Sequence, residues 1–105
     1  MSSLIVHVMH EPEGLSFVLD GKIDASNAGN FRDAVSAALS GHPEEKIVFD
    51  CGKLVYISSL GLRELLRLRK AHKGTMNLVN VRHEVRSILE ISGFSQIFDV
   101  SGGNN

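Results

Sequence analysis

Two adjacent serines, Ser58 and Ser59, stand where an apolar run changes into a helical pattern, and their hydroxyls are the groups in this sequence best placed for chemistry. The run before them ends at Ile57, and the leucines after them recur at helical spacing. The first turn of a helix has backbone N–H groups without partners and carries about half a positive charge, so it stabilises an attached phosphate. The pattern predicts a phosphorylation site rather than a catalytic serine.

A serine before a helix also has a purely structural use. Its side chain accepts a hydrogen bond from a backbone N–H one turn further on and so caps the helix. One cap needs only one hydroxyl, which leaves the second serine of the pair for another role. Gly61, just after the pair, lets another backbone come close to this point. The residues alone therefore permit both a helix cap and a phosphorylation site at this position.

The composition is that of one ordinary globular domain. The chain has 105 residues, 43% hydrophobic and 22% charged, with a formal net charge of −1, so neither a nucleic-acid-binding field nor an acidic tail is expected. The single Cys51 cannot form an internal disulfide, and the N-terminus lacks the pattern of a secretion signal, which favours the cytoplasm. No apolar run approaches the roughly 20 residues of a membrane helix, so no membrane role is expected.

Hydrophobic periodicity predicts strands that alternate with helices after an opening hairpin. The predicted strands are Leu4–Met9, Leu15–Asp20, Lys46–Asp50 and Met76–Val81, and the predicted helices run from Ala28 to before Gly41, from near Ser59 to before Gly74, and from about His83 to Ser92. Residues 97–100 add an edge strand or a last turn, and 102–105 are expected to be a disordered tail after a domain of residues 1–101. The order predicts an α/β sandwich with a partly parallel sheet.

The sequence contains few of the motifs that are typical of enzymes. Ser59, Cys51 and five histidines are the candidates, but the sequence has no Gly-x-Ser-x-Gly, Cys-x-x-Cys or His-Glu-x-x-His pattern and no phosphate-binding glycine loop. We therefore expect no enzyme activity, no cofactor and no metal site. The basic residues of the second helix are expected to form a solvated face and a favourable last turn, not a nucleic-acid surface; they are Arg63, Arg67, Arg69, Lys70 and Lys73.

In this order the motifs resemble the STAS domain family, and within it the small single-domain anti-sigma factor antagonists of bacterial partner-switching systems. Four segments carry the resemblance, which spans nearly the whole chain. They are Gly21-Lys22-Ile23-Asp24, Ile47-Val48-Phe49-Asp50, Tyr56-Ile57-Ser58-Ser59-Leu60-Gly61-Leu62-Arg63, and Val79-Asn80-Val81 followed by Val85 to Phe94. The resemblance implies a STAS fold, with a mixed sheet of four to five strands, an opening hairpin and three to four helices mainly on one face.

The resemblance also implies a site. Alignment on Gly61 makes Ser59 the phosphorylated residue, with Ser58, where the family often has aspartate, as the alternative acceptor. Leu60 replaces a small residue of the family, and we expect it to be buried or half-buried rather than a contact for the partner. Asp24 and Asp50 are expected near Ser59 if the loops converge, although the residues alone also permit a helix cap and a strand-end turn.

The implied function is that of an antagonist whose unphosphorylated form binds an anti-sigma factor and frees the sigma factor. That partner would be a serine kinase with a histidine-kinase-like ATPase fold, and a serine phosphatase would reverse the modification. The expected partner-binding residues are Asp24, Ser58, Ser59, Leu60, Gly61 and Arg63, on a monomeric protein. The alternative is a non-switching STAS adaptor subunit of a transport or signalling complex, in which both serines are caps.

Overall fold

A computed structural model describes residues 3–94 and 98–102 of the chain. It contains five strands and three helices in these residues. In chain order they are β1 Leu4–Glu11, β2 Gly14–Ile23, α1 Ala28–Leu39, β3 Lys46–Ile57, α2 Ser59–Ala71, β4 Met76–Val81, α3 His83–Ile91 and β5 Asp99–Gly102. The predicted elements are all present, and the segment for which a strand or a turn was predicted contributes β5.

The five strands form one mixed sheet in the order β1-β2-β3-β4-β5. β1 and β2 are antiparallel and meet at a two-residue turn, Pro12-Glu13, between Glu11 and Gly14. All later neighbours are parallel, which requires the crossover helices that the alternation predicts. The predicted α/β fold with an opening hairpin is confirmed.

The three helices cover one face of the sheet. Phe31 of α1, Leu65 of α2 and Leu89 of α3 line the same small apolar space as Leu19 of β2 and Leu78 of β4, so all of them belong to one core. Most of the alternate strand residues point to the other face, where they are half-exposed or exposed, although Ser16 of β2 is buried. The molecule is thus a two-layer structure, with α2 in the helix layer.

β3 is longer than the sequence predicts. It continues beyond Asp50 to Ile57, and its pairing with β2 shifts twice, between Val18 and Asp20 and again between Gly21 and Lys22. Each shift leaves an extra residue on β3, and Gly52 lies in the first irregular stretch. A bulge bends a strand without ending it, so the predicted end of this strand at Asp50 was wrong. The second half of β3 carries the chain to the start of α2.

Two charged residues join α1 to α2. Arg32 Nη1 lies 3.3 Å from Glu64 Oε1, and the Glu64 side chain is among the few buried polar groups of the described chain. The pKa of Arg32 is raised by its hydrogen bond to Asp33 and then by the charge of Glu64. A buried carboxylate requires such a partner because loss of hydration is costly. The helical spacing of apolar residues in the sequence did not predict that Glu64 is buried.

The carboxyl end of the chain is described in part. β5 includes Gly102, at which the predicted tail begins, and 103–105 of that tail lie outside the described residues. Phe98 lies in the core, whereas Ile91, which belongs to the apolar pattern of the third helix, is 88% exposed. No helix among residues 3–94 and 98–102 is long and apolar enough to cross a membrane.

Candidate functional site

The start of α2 is attached to the ends of two neighbouring strands. Ile23 and Ile57, the last residues of β2 and β3, pair with each other, and the backbone N–H of Ser58 donates to the carbonyl of Ile23 over 2.8 Å. Beyond these residues β2 enters the loop to α1 at Asp24, and β3 turns directly into α2. The loop and the helix start therefore lie side by side at the carboxyl edge of the sheet.

The two serines have different environments. Ser58 is the N-cap of α2, and its Oγ accepts a hydrogen bond from the backbone N–H of Gly61 over 3.1 Å. Ser59 is the first helical residue and is exposed. The Ser59 hydroxyl makes no hydrogen bond to residues 3–94 or 98–102, so the cap that the sequence allows for one serine is taken by Ser58.

Gly61 is needed because the helix start lies tightly against the strand ends. A Cβ at this position would come within 2.7 Å of Ile23 Cγ2 and 2.8 Å of Ile57 Cγ1. The sequence predicted the close approach of another backbone at Gly61, but two buried side chains occupy the space instead. Since this packing fixes the first turn of α2, it also fixes the position of the neighbouring Ser59.

The surface around Ser59 is apolar and basic. Leu60 is 40% exposed, because position 60 lies on the helix side opposite Leu62, and the prediction that Leu60 is buried or half-buried was therefore wrong. Arg63 is exposed one turn after Ser59. The side chain of Tyr56 is also exposed, at 44%, although it belongs to an apolar stretch of the sequence that ends at Ile57.

A signal for the exposed end of β3 was present in the sequence. Leu54 to Ile57 are four apolar residues in succession, and alternate strand residues face opposite sides, so a sheet covered on one face cannot bury all of them. The structure buries Leu54 and Ile57 and exposes Val55 and Tyr56. An apolar patch thus lies beside the start of α2.

The two predicted aspartates lie in different places. Asp24 follows β2 directly, and its Oδ1 accepts hydrogen bonds from the backbone N–H and the hydroxyl of Ser26, which orders the turn before α1. Asp50 lies inside β3, where its Oδ1 accepts from the Gly52 N–H and from Asn80 Nδ2. About 20 Å of strand separates Asp50 from Ser58. Asp24 therefore lies at the serine edge of the sheet, and the expectation for Asp50 was wrong.

Cys51, the candidate thiol nucleophile, lies inside the core. Cys51 is buried, and loss of hydration, followed by the charge of Asp50, raises the pKa of its thiol to about 12. A neutral buried thiol is a poor nucleophile, and Cys51 packs as a small residue of the core. Within the described residues no group of three or more His, Cys, Asp or Glu side chains could hold a metal ion.

Comparison with known proteins agrees with this fold. The sequence model of the STAS domain matches residues 6–102, and the chain therefore belongs to the STAS domain family. A Bordetella bronchiseptica protein, BtrV, is 38% identical over 86 residues, which are 79% of this chain and 73% of that protein. Its name describes an anti-sigma factor antagonist.

Solved structures show the same fold at lower sequence identity. An anti-sigma factor antagonist from Mycobacterium paratuberculosis superposes with a TM-score of 0.84 at 20% identity, covering 94% of this chain and 86% of that one. The anti-sigma factor antagonist SpoIIAA, in its unphosphorylated form, gives a TM-score of 0.76 at 20% identity, covering 93% and 87%. These structures confirm the STAS fold for this chain.

Proposed function

We propose that this STAS domain is an anti-sigma factor antagonist that is switched by phosphorylation of Ser59. Its unphosphorylated form binds an anti-sigma factor with a histidine-kinase-like ATPase fold and frees the sigma factor held there. That kinase transfers a phosphoryl group to Ser59, which ends the complex, and a serine phosphatase restores the binding form. The similarity to BtrV, whose name describes an anti-sigma factor antagonist, supports the binding to an anti-sigma factor.

The observation that supports the proposal most strongly is that the two serines have different roles in the fold. Ser58 caps α2 through Gly61, whereas the hydroxyl of Ser59 is exposed at the first helical residue. A phosphate on Ser59 leaves the cap intact and meets the positive end of the helix, so the fold tolerates it. SpoIIAA, which has the same fold, was solved in what is described as its unphosphorylated form, and this supports modification as a property of such domains.

The switch acts at the interface. A phosphate adds about −1.5 to −2 charges beside the exposed Leu60, in a surface that carried a neutral hydroxyl. Burying that charge against a partner costs several kcal/mol, which lowers the affinity about a thousandfold. Asp24 at the same edge adds a like charge on this side of the interface. The chemistry of transfer belongs to the kinase, because the chain contains no ATP-binding loop motif.

Binding to the purified kinase tests the proposal. Isothermal titration of the wild-type protein and Ser59→Ala should give similar affinities, while Ser59→Asp should bind at least tenfold more weakly. Ser58→Asp keeps an N-cap oxygen and is the matched control for an added carboxylate one residue away. Equal affinities of Ser59→Asp and the wild type, together with binding that ignores ATP, would instead favour the constitutive adaptor role.

A further inference from the structure

We propose that Arg63 is the counter-ion of the phosphate on Ser59, so that phosphorylation draws the Arg63 guanidinium from the partner surface onto the new phosphate. This inference rests on the proposed function because it takes Ser59 as the phosphorylated residue. It adds a second part to the switch: the modified surface gains negative charge and also loses a free cation.

The spacing on α2 places Arg63 beside Ser59. Residues four apart on a helix are neighbours on one face, and long helical side chains lean toward the N-terminus. The other residue within one turn that can face Ser59 is Leu62, three positions further on, and it is buried. Both Ser59 and Arg63 are exposed, so nothing in the core prevents their side chains from meeting.

Arg63 is also available for this role. It forms no ion pair with residues 3–94 or 98–102. Four other arginines of this part of the chain have partners: Arg32 contacts Asp33 and Glu64, Arg67 contacts Glu64, Arg69 donates to the carbonyls of His72 and Gly74, and Arg82 contacts Glu84. Arg86 belongs to α3, a different helix from Ser59. A phosphate at position 59 would therefore take Arg63 without breaking an existing contact.

The other charged groups around the start of α2 are less suited. Glu64 is nearly buried and faces Arg32 of α1. Asp24, in the loop after β2, accepts two hydrogen bonds from Ser26 and would repel a phosphate. Lys22, exposed near the end of β2, is the competing cation, but it belongs to a different element from Ser59. An arginine one helical turn away forms short, charge-assisted hydrogen bonds to phosphate oxygens.

The test places phosphoserine at position 59 during translation, so it does not require the kinase. The second pKa of the phosphate is measured by ³¹P NMR in four phosphoproteins: the otherwise wild-type chain, Arg63→Gln, Arg67→Gln and Lys22→Gln. We expect this pKa to be about 0.5 unit higher in Arg63→Gln than in the wild type. Arg67→Gln, a matched loss of charge one turn further along α2, should titrate like the wild type.

Two results would overturn the counter-ion role. One is equal titration of Arg63→Gln and the wild type, and the other is a larger rise in Lys22→Gln than in Arg63→Gln. Arg63→Lys should retain part of the shift, because the charge remains while the planar guanidinium is lost. All substituted positions are exposed, so circular dichroism should show unchanged folding.

The partner half of the proposal has its own measurement. Unphosphorylated Arg63→Gln should bind the kinase at least about threefold more weakly than Arg67→Gln. Equal affinities would refute the contribution of Arg63 to the partner surface. A negative result in either experiment would not refute phosphorylation of Ser59, because the transfer of phosphate to Ser59 by the kinase is measured in a separate experiment.

Discussion

Replacing Gly61 by alanine should loosen the start of α2 and destabilise the fold. The new Cβ would lie 2.7 Å from Ile23 Cγ2 and 2.8 Å from Ile57 Cγ1. Both isoleucines are almost fully buried and pair with each other at the strand ends. Their branched side chains have few alternative rotamers, so the helix start itself must shift.

Two effects of opposite sign determine the magnitude. Alanine is a better helix former than glycine by up to about 1 kcal/mol, which would stabilise α2. Overpacking of a well-filled core costs about 1–3 kcal/mol, and two contacts below 3 Å belong in the upper part of that range. We expect a net loss of about 1–2 kcal/mol in the free energy of unfolding.

Urea unfolding followed by circular dichroism measures this change, and the chain offers a matched control. Gly29 lies near the start of α1, and a Cβ added there would have open space for 4 Å around it. Gly29→Ala should therefore stabilise the protein by about 0.5 kcal/mol. If Gly61→Ala is as stable as the wild type, or gains stability as Gly29→Ala does, the argument from close packing is refuted.

Three further predictions follow from the same geometry. Ser58→Ala should lower the free energy of unfolding by about 1 kcal/mol in urea while Ser59 remains a phosphoryl acceptor; unchanged stability would contradict the cap. Leu60→Ala should change stability by less than about 0.5 kcal/mol but weaken kinase binding at least tenfold, whereas Leu62→Ala, on the buried side, should cost about 2–5 kcal/mol. The thiol of Cys51 has a pKa of about 12 in the folded protein, so between pH 9 and pH 11 it keeps its proton while the thiol of the unfolded chain loses it. The free energy of unfolding of the wild type, relative to that of Cys51→Ala, should therefore fall from pH 9 toward pH 11. A difference that is independent of pH would contradict this.

The sequence predicted much of the fold because its hydrophobic periods are local and regular. β4 has the predicted bounds, Met76–Val81, and α1 and α2 begin at the predicted residues. The error in β3 arose because a glycine inside a strand and a glycine that ends one look alike in sequence. Only the pairing with β2, which is set by distant residues, shows that Gly52 belongs to a bulge.

The site was predictable in its location but not in its details. The two serines mark the helix start, but a shift of one residue in the start of α2 would change which of them caps the helix. The exposure of Leu60 depends on the direction in which the helix faces the sheet, and this is a property of tertiary packing. The ion pair between Arg32 and Glu64 joins residues that are 32 positions apart in the chain and lie on different helices, so no local pattern reveals it.

Phosphorylation of Ser59 is the central claim, and mapping of the modified residue by mass spectrometry tests it most directly. The purified protein is incubated with its kinase and Mg·ATP, beside Ser59→Ala and Ser58→Ala. We predict one added phosphate on Ser59 in the wild type and in Ser58→Ala, and none in Ser59→Ala. A phosphate that persists in Ser59→Ala and disappears in Ser58→Ala would contradict the assignment, and a stable complex without any added phosphate would contradict the switch.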